Sequence, residues 1–226
     1  MRFLDREEAG LVLGHALQPH LTPDALVLAL PRGGVVVGYH AARRLGLPLD
    51  VLVARKVAVP EEPELGLGAV AEEGVRQLEL GMARTLGVTP EALRVATHAA
   101  ELEVERRVML YRAGRALPDV RGRTVFLVDD GLARGVTARA AIELLRNRGV
   151  GRLVVAAPVA ASSTADMLGR LADAVVCPVT PALMRAISDW YEHYEQVTDA
   201  EVVALLAHAR REAAGGYALP QHQAAQ

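Results

Sequence analysis

Short apolar runs alternate with amphipathic stretches along this chain, and their lengths separate strands from helices. Ala25 to Leu30 is a continuous apolar run halted by Pro31-Arg32-Gly33-Gly34, the pattern of a strand buried on both faces. Val35 to Leu45 predicts a helix closed by Gly46 and Pro48, and Val51 to Ala54 a second buried strand ending near Arg55-Lys56. Beyond residue 120 the rhythm becomes regular. Strand Thr124 to Val128, helix Val136 to Asn147, strand Leu153 to Val159, helix Ser163 to Leu171 and strand Ala174 to Cys177 follow one another. Such alternation predicts βαβ units and a parallel sheet with helices on its faces.

The flanking segments are less regular. Asp5 followed by Glu8 resembles a capping arrangement for a first helix reaching about Gln18, and Pro19 to Asp24 reads as a turn-rich link. From Val57 to about Leu80, Pro60, Pro63 and the Glu72-Glu73-Gly74 turn predict a loop followed by a hairpin, the segment expected to be mobile. Thr89-Pro90-Glu91 opens a long Arg- and Glu-rich helix to about Arg115, whose alternating charges fit a solvated face. The Ala/Gln-rich tail from Ala213 is expected to fray.

Composition narrows the picture. With 226 residues, 51% of them hydrophobic, the chain can bury one sizeable core with an elaboration, so a single domain over 1–226 is expected. A formal net charge of -2 supplies no overall positive field, which disfavours a nucleic-acid partner. No run approaches the roughly 18 uninterrupted apolar residues of a membrane span, and the charged N-terminus does not resemble a signal peptide. The lone Cys177 excludes an internal disulfide framework, and its apolar neighbours predict a buried core thiol. These features together lead to an expectation of a cytoplasmic protein without membrane association. Of the 25 Lys and Arg residues only Lys56 is lysine, which makes that position worth following.

The chemistry concentrates in Val125 to Thr137, VFLVDDGLARGVT. An apolar strand ends on two carboxylates, Asp129 and Asp130, and Gly131-Leu132-Ala133-Arg134-Gly135-Val136-Thr137 then leads into a helix. Glycines allow the chain to turn tightly and gather backbone N–H groups at one point, where the helix start adds positive potential. Such a point suits a phosphate, with the Thr137 hydroxyl as a further donor and the upstream acids within reach of sugar hydroxyls. An ordinary polar strand-to-helix turn would look much the same.

The segment resembles the phosphoribosyl pyrophosphate (PRPP) motif of type I phosphoribosyltransferases: an apolar strand, two acids, three variable residues, Thr, Gly, a variable residue, then Thr or Ser. Position 134 departs from it, with Arg134 where the family usually has Thr. The resemblance extends over Ala25 to about Cys177 and implies a three-layer α/β/α fold. Its mainly parallel sheet would have strand order 3-2-1-4-5-6 with strand 3 antiparallel, a core at about 20–180, a mobile loop and hairpin at 57–80, and a hood formed by about 181–210 and the N-terminal helix. It also implies roles. Asp129 and Asp130 would hold the ribose hydroxyls as catalytic groups, and Gly131 to Thr137 the 5-phosphate. Arg32, Gly33 and Gly34 would grip pyrophosphate through an unusual backbone turn, with Lys56 as a further pyrophosphate-binding residue that offsets its charge. Mg²⁺ would enter through the substrate pyrophosphate, with Asp129 or Asp130 as a candidate ligand. The implied activity is phosphoribosyl transfer to a nitrogen acceptor such as a nucleobase, by a chain that could pair as a homodimer. A PRPP-sensing regulator or a non-catalytic binding protein of the same fold is the alternative.

Substrate identity is less legible. Relatives acting on 6-oxopurines usually carry an acid three residues beyond the second carboxylate, where this chain has Ala133, so adenine, orotate, uracil or an unfamiliar nitrogen acceptor stays open. Trp190 and Tyr191 lie in the segment that resembles the family's base-covering hood, and could stack on a base or pack in a core or interface. Gly66-x-Gly68-x-x-Ala71 formally matches a dinucleotide fingerprint but leads into a hairpin rather than a helix. Neither a GxxxxGK[ST] loop, an HExxH pair nor a GxSxG elbow is present, which leaves nucleotide, zinc and serine hydrolysis without their parts.

Overall fold

The computed structural model of the protein describes residues 1–58 and 66–214. Helix α1 (Arg6–Leu17) leads to strand β1 (Leu26–Ala29), helix α2 (Gly33–Leu45), β2 (Leu49–Val51), β3 (Ala54–Ala58), β4 (Gly66–Ala71) and β5 (Arg76–Leu78). Helices α3 (Leu80–Thr85) and α4 (Pro90–Arg112) follow, then β6 (Thr124–Val128), α5 (Val136–Asn147), β7 (Arg152–Ala156), α6 (Ser162–Leu168), β8 (Ala174–Val176) and α7 (Asp199–Ala214). Strands β2, β1, β6, β7 and β8, in that order, form one parallel sheet.

The continuous apolar runs exist because both faces of this sheet are covered. Val27, Ala29, Phe126 and Val128 point to one face and pack with Leu13, Val35, Tyr39 and Leu206 of α1, α2 and α7. Leu26, Leu28, Val125 and Leu127 point to the other and pack with Ala141, Ile142 and Leu145 of α5. The two-residue period of a strand therefore sorts one sequence run into two cores, giving the expected three layers.

The implied strand order needs one refinement. The order around β1 is as implied, but the antiparallel third strand belongs to a separate sheet, β3-β4-β5, instead of extending the edge beside β2. The run Val51 to Ala54 is correspondingly not one strand: it spans the end of β2, a two-residue link and the start of β3. The apparent dinucleotide fingerprint is strand β4 itself. Within the segment 57–80 the hairpin is present, while residues 59–65 lie outside the described residues, as do 215–226 of the expected tail.

Caps explain the helix boundaries. The Asp5 carboxylate accepts from the Glu8 amide at 2.9 Å, and the Glu8 carboxylate accepts from the Leu4 amide at 2.6 Å. Thr89 caps α4, which Ala113 ends in a left-handed conformation. The hood region contains a full helix, α7, whose Val202, Leu206 and Ala209 are buried. Among the described residues no helix is long and apolar enough to cross a membrane. Cys177 is partly buried, and burial pushes its thiol up to about 11.

Candidate active site

The register of β1 against β6 determines where the chemistry gathers. Ala29 lies opposite Val128 and the Leu30 amide donates to the Val128 carbonyl at 2.8 Å, so the loops after both strands leave the sheet at the same level. The helices that follow them, α2 and α5, cover opposite faces. This is a topological switch point, the crevice where open α/β sheets bind ligands.

Pro31-Arg32-Gly33-Gly34 is seated directly on the two acids. A β-carbon at Gly33 would overlap the Asp130 carboxylate, and one at Gly34 would come within 2.9 Å of the Asp129 α-carbon. Glycine at 34 lets the two backbones approach, and glycine at 33 leaves room for the Asp130 carboxylate. The Pro31–Arg32 peptide bond is cis, at the place where an unusual turn was expected. Gly33 and Gly34 open α2, so their amides have no intrahelical acceptor and sit beside the cleft with the positive end of that helix.

Asp130 is buried and held from three directions. Its Oδ2 accepts from Arg6 Nε at 2.8 Å and from the Tyr194 hydroxyl at 3.0 Å, while its carbonyl accepts from the Tyr191 hydroxyl at 2.6 Å. The Arg6 guanidinium lies over the Tyr194 ring, 3.8 Å from its centroid. Burial alone would lower the Arg6 pKa, but the Asp130 carboxylate outweighs it and raises it. Burial, then the Asp130 charge, pushes the Tyr194 phenol up, which keeps its proton in place for donation. Asp129 has no such cation. Its carboxylate accepts from the Asp130 amide at 2.9 Å, and burial followed by repulsion from Asp130 holds its pKa well above the usual carboxylate range.

These groups enclose a cleft of about 320 Å³ lined by Arg32, Gly33, Asp129, Asp130, Arg6 and Tyr194, with Glu195, Gln196 and Val197 completing it. Arg32 approaches Asp199 at 4.0 Å, and that carboxylate also accepts from the Tyr111 hydroxyl at 2.5 Å.

Next to the acids, the loop from Gly131 is anchored at its base and open at its tip. The Leu132 amide donates to the Val159 carbonyl at 2.9 Å, the Leu132 carbonyl accepts from Ala161, and the Thr164 hydroxyl donates to the Ala133 carbonyl at 2.7 Å. Gly135 takes a left-handed conformation, φ 66°, as N-cap of α5, and Val136 and Thr137 form that helix's first turn, where amides lack intrahelical acceptors. The Arg134 side chain is exposed and reaches Met82 Sδ at 3.7 Å.

Not every expected residue joins the cleft. Lys56 stands on β3, outside the cleft lining, its side chain running beside Gly66 on the sheet that packs against α5. Tyr191, a candidate for base stacking, is only 1% exposed and packs on Phe3 and Tyr194, so it cannot receive a base. Trp190 is half-buried in the same cluster, its carbonyl accepting from the Phe3 amide. The sequence reading missed Arg6, Tyr194 and Ile187. Tyr194 lies three residues beyond the flagged aromatic pair, but Arg6 is 124 residues from its partner and has no local signal.

A family model described as the phosphoribosyl transferase domain matches residues 18–180. Two Mycobacterium tuberculosis proteins, from strains CDC 1551 and H37Rv and each named provisionally as a phosphoribosyl transferase, are 40% identical over 210 residues. The match covers 93% of this chain and 47% of theirs, so the chain spans about half the length of these curated relatives. The crystal structure of TT1426 from Thermus thermophilus is similar, with a TM-score of 0.75 and 39% identity over 92% of this chain and 99% of that one.

Proposed function

The chain belongs to the phosphoribosyl transferase domain family, and from that premise we propose that it transfers the 5-phosphoribosyl group of PRPP to a nitrogen acceptor, releasing pyrophosphate. One observation carries this reading: the Arg32-Gly33-Gly34 turn is packed onto Asp129 and Asp130 at the switch point, with a second helix start, that of α5, beside them. Two helix N-termini flanking a pair of carboxylates match a substrate with a phosphate group at each end and a diol between.

In this reading the amides of Gly33 and Gly34 and the Arg32 guanidinium receive the pyrophosphate. The amides from Ala133 to Thr137, with the Thr137 hydroxyl, receive the 5-phosphate. Asp129 and Asp130 hold the ribose hydroxyls. When the bond from C1 to pyrophosphate breaks, positive charge develops on the sugar and negative charge on the leaving group. The carboxylates stabilise the first, Arg32 and the α2 amides the second. Anchoring the distant 5-phosphate aligns C1 with the acceptor.

The donor set fits a Mg²⁺ ion shared with substrate. The Asp129 carboxylate is a hard oxygen donor facing the cleft, and among the described residues no cation bonds to it directly. Such an ion would neutralise pyrophosphate charge and favour the ionised form of Asp129.

The test is Mg²⁺-dependent pyrophosphate release from PRPP in the presence of nitrogen acceptors, alongside calorimetric titration with PRPP. Binding and turnover are expected. Tight binding without turnover would favour the sensing alternative, for which the Arg6 grip on Asp130 already offers a motive. Absence of binding would overturn the assignment.

A further inference from the structure

The inference rests on the phosphoribosyl-transfer reading and names its acceptor. We infer that the acceptor is ammonia or a small primary amine and not a nucleobase, because Ile187 and the Arg6–Tyr194 stack fill the space beside the acids where a flat ring would lie.

A base is recognised through its faces, by stacking on an aromatic or apolar surface. The two tyrosine rings whose hydroxyls bond Asp130 are already engaged. Tyr194 carries the Arg6 guanidinium 3.8 Å from its centroid and packs against Tyr191 at 5.1 Å. Tyr191 in turn packs on Phe3 at 5.7 Å and is almost fully buried. The backbone just after the acids is covered as well. A β-carbon built at Gly131 would lie 2.5 Å from Ile187 Cγ2 and 3.2 Å from its Cδ1, so the isoleucine rests against the glycine. Ile187 comes from the turn Ile187–Trp190 and is braced by the cluster containing Met184, Val179 and Val159.

Size and polarity lead to the same conclusion. The cleft of about 320 Å³ is at the lower end of the roughly 300–1,000 Å³ that ligand pockets span, and the ribose and pyrophosphate would take most of it. Beyond the groups assigned to ribose and pyrophosphate, the lining includes Glu195, Gln196 and Val197, where the Glu195 carboxylate and the Gln196 carbonyl can accept from N–H groups. In the transfer, the amine lone pair forms the new bond to C1 while the electron pair of the C1–O bond leaves with pyrophosphate. The surplus proton on nitrogen passes to water in the open cleft.

The experiment compares pyrophosphate release from Mg-PRPP by the wild-type chain with ammonium chloride or methylamine against adenine, uracil, orotate, hypoxanthine and guanine at equal concentration. Release with an amine is expected to exceed that with any base at least tenfold and to track the free-amine fraction as pH rises. Ile187→Ala, with its fold checked by thermal melting, should raise base-supported release at least tenfold. If it does not fold, the wild-type comparison decides. Wild-type release supported as well by a nucleobase overturns the inference. So does PRPP binding in calorimetry with no release by any amine. A folded Ile187→Ala chain with unchanged base-supported release removes Ile187 as the barrier and overturns it too. Failure to bind PRPP is a separate result that removes the underlying reading.

Discussion

Among the described residues two carboxylate–guanidinium clusters are buried, and they follow opposite rules. Glu72 and Arg112 are both nearly inaccessible, and each makes several hydrogen bonds. Glu72 accepts from Arg112 through both oxygens and from the Val53 amide at 2.7 Å, while Arg112 also donates to the Val51 and Arg115 carbonyls at 3.0 and 3.1 Å. One acid meets one cation, and the unit ties the end of α4 to the corner between β2 and β3. At the cleft, one buried cation among the described residues bonds only one of two adjacent acids. Arg6 satisfies Asp130, and Asp129 is left with a disfavoured charge facing a cavity. A cluster in which each charge is paired holds structure together; one with surplus acid retains the capacity to act on a ligand.

The largest effect expected from breaking this contrast is on turnover. Asp129→Asn combined with Asp130→Asn should lower pyrophosphate release by about 10³ or more, since a single preorganised electrostatic contact is worth roughly 10²–10³. The far-ultraviolet circular dichroism spectrum should be unchanged. Retained release would place the ribose site elsewhere.

Next comes Glu72→Gln, which leaves Arg112 buried without its anion. Removing one partner of a buried pair costs about 3–5 kcal/mol, read as a lower urea midpoint. PRPP affinity measured below the transition should remain at the wild-type value. A loss of affinity without loss of stability would mean that the two clusters are not separate.

A smaller effect distinguishes the acids by pH. The folded-state pKa of Asp129 is raised above the ordinary aspartate value of about 3.9, so this group destabilises the folded chain as pH rises through the interval between the two. Asp129→Asn removes that loss. The variant should melt a few degrees higher than wild type near neutral pH, and the difference should vanish near pH 4. Binding of Mg-PRPP to the wild type should release protons, detectable by calorimetry in buffers of different ionisation enthalpy. Equal melting temperatures across the range would show that Asp129 ionises normally.

How far these clusters could be read from sequence depends on how local their causes are. The strands β1 and β6 and the loop after Asp130 were legible because burial on both faces and helix capping act over a few residues. The convergence of Arg32-Gly33-Gly34 on Asp129-Asp130 became legible only through the family resemblance, since a register of parallel strands leaves no mark in either strand alone. Arg6 and Tyr194 had no such aid: their link to Asp130 is tertiary, and an arginine in a first helical turn looks like any solvated charge. The Arg112–Glu72 pair was hidden within a helix read as a solvated face and a turn read only as a turn. Tyr191 stayed open between stacking and packing for a related reason, because an aromatic beside a site has the same sequence signature whether it faces the ligand or braces the wall.

The smallest expected effect concerns the departure from the family motif at position 134. The Arg134 side chain is exposed and contacts Met82, away from the anchored base of the loop, whereas its backbone amide stays in the loop whatever side chain it carries. Arg134→Thr, which restores the usual family residue, should therefore change stability by less than about 0.5 kcal/mol. PRPP affinity should change by about threefold or less, and its salt dependence should match that of the wild type. A guanidinium in contact with phosphate behaves differently, because its attraction is screened as ionic strength rises. If Arg134→Thr weakens binding by tenfold or more, about 1.4 kcal/mol, and flattens the salt dependence, then the arginine swings onto the 5-phosphate. The cleft would then hold two mobile sources of positive charge, Arg32 and Arg134, and its surplus of acid would be a property of the empty site alone.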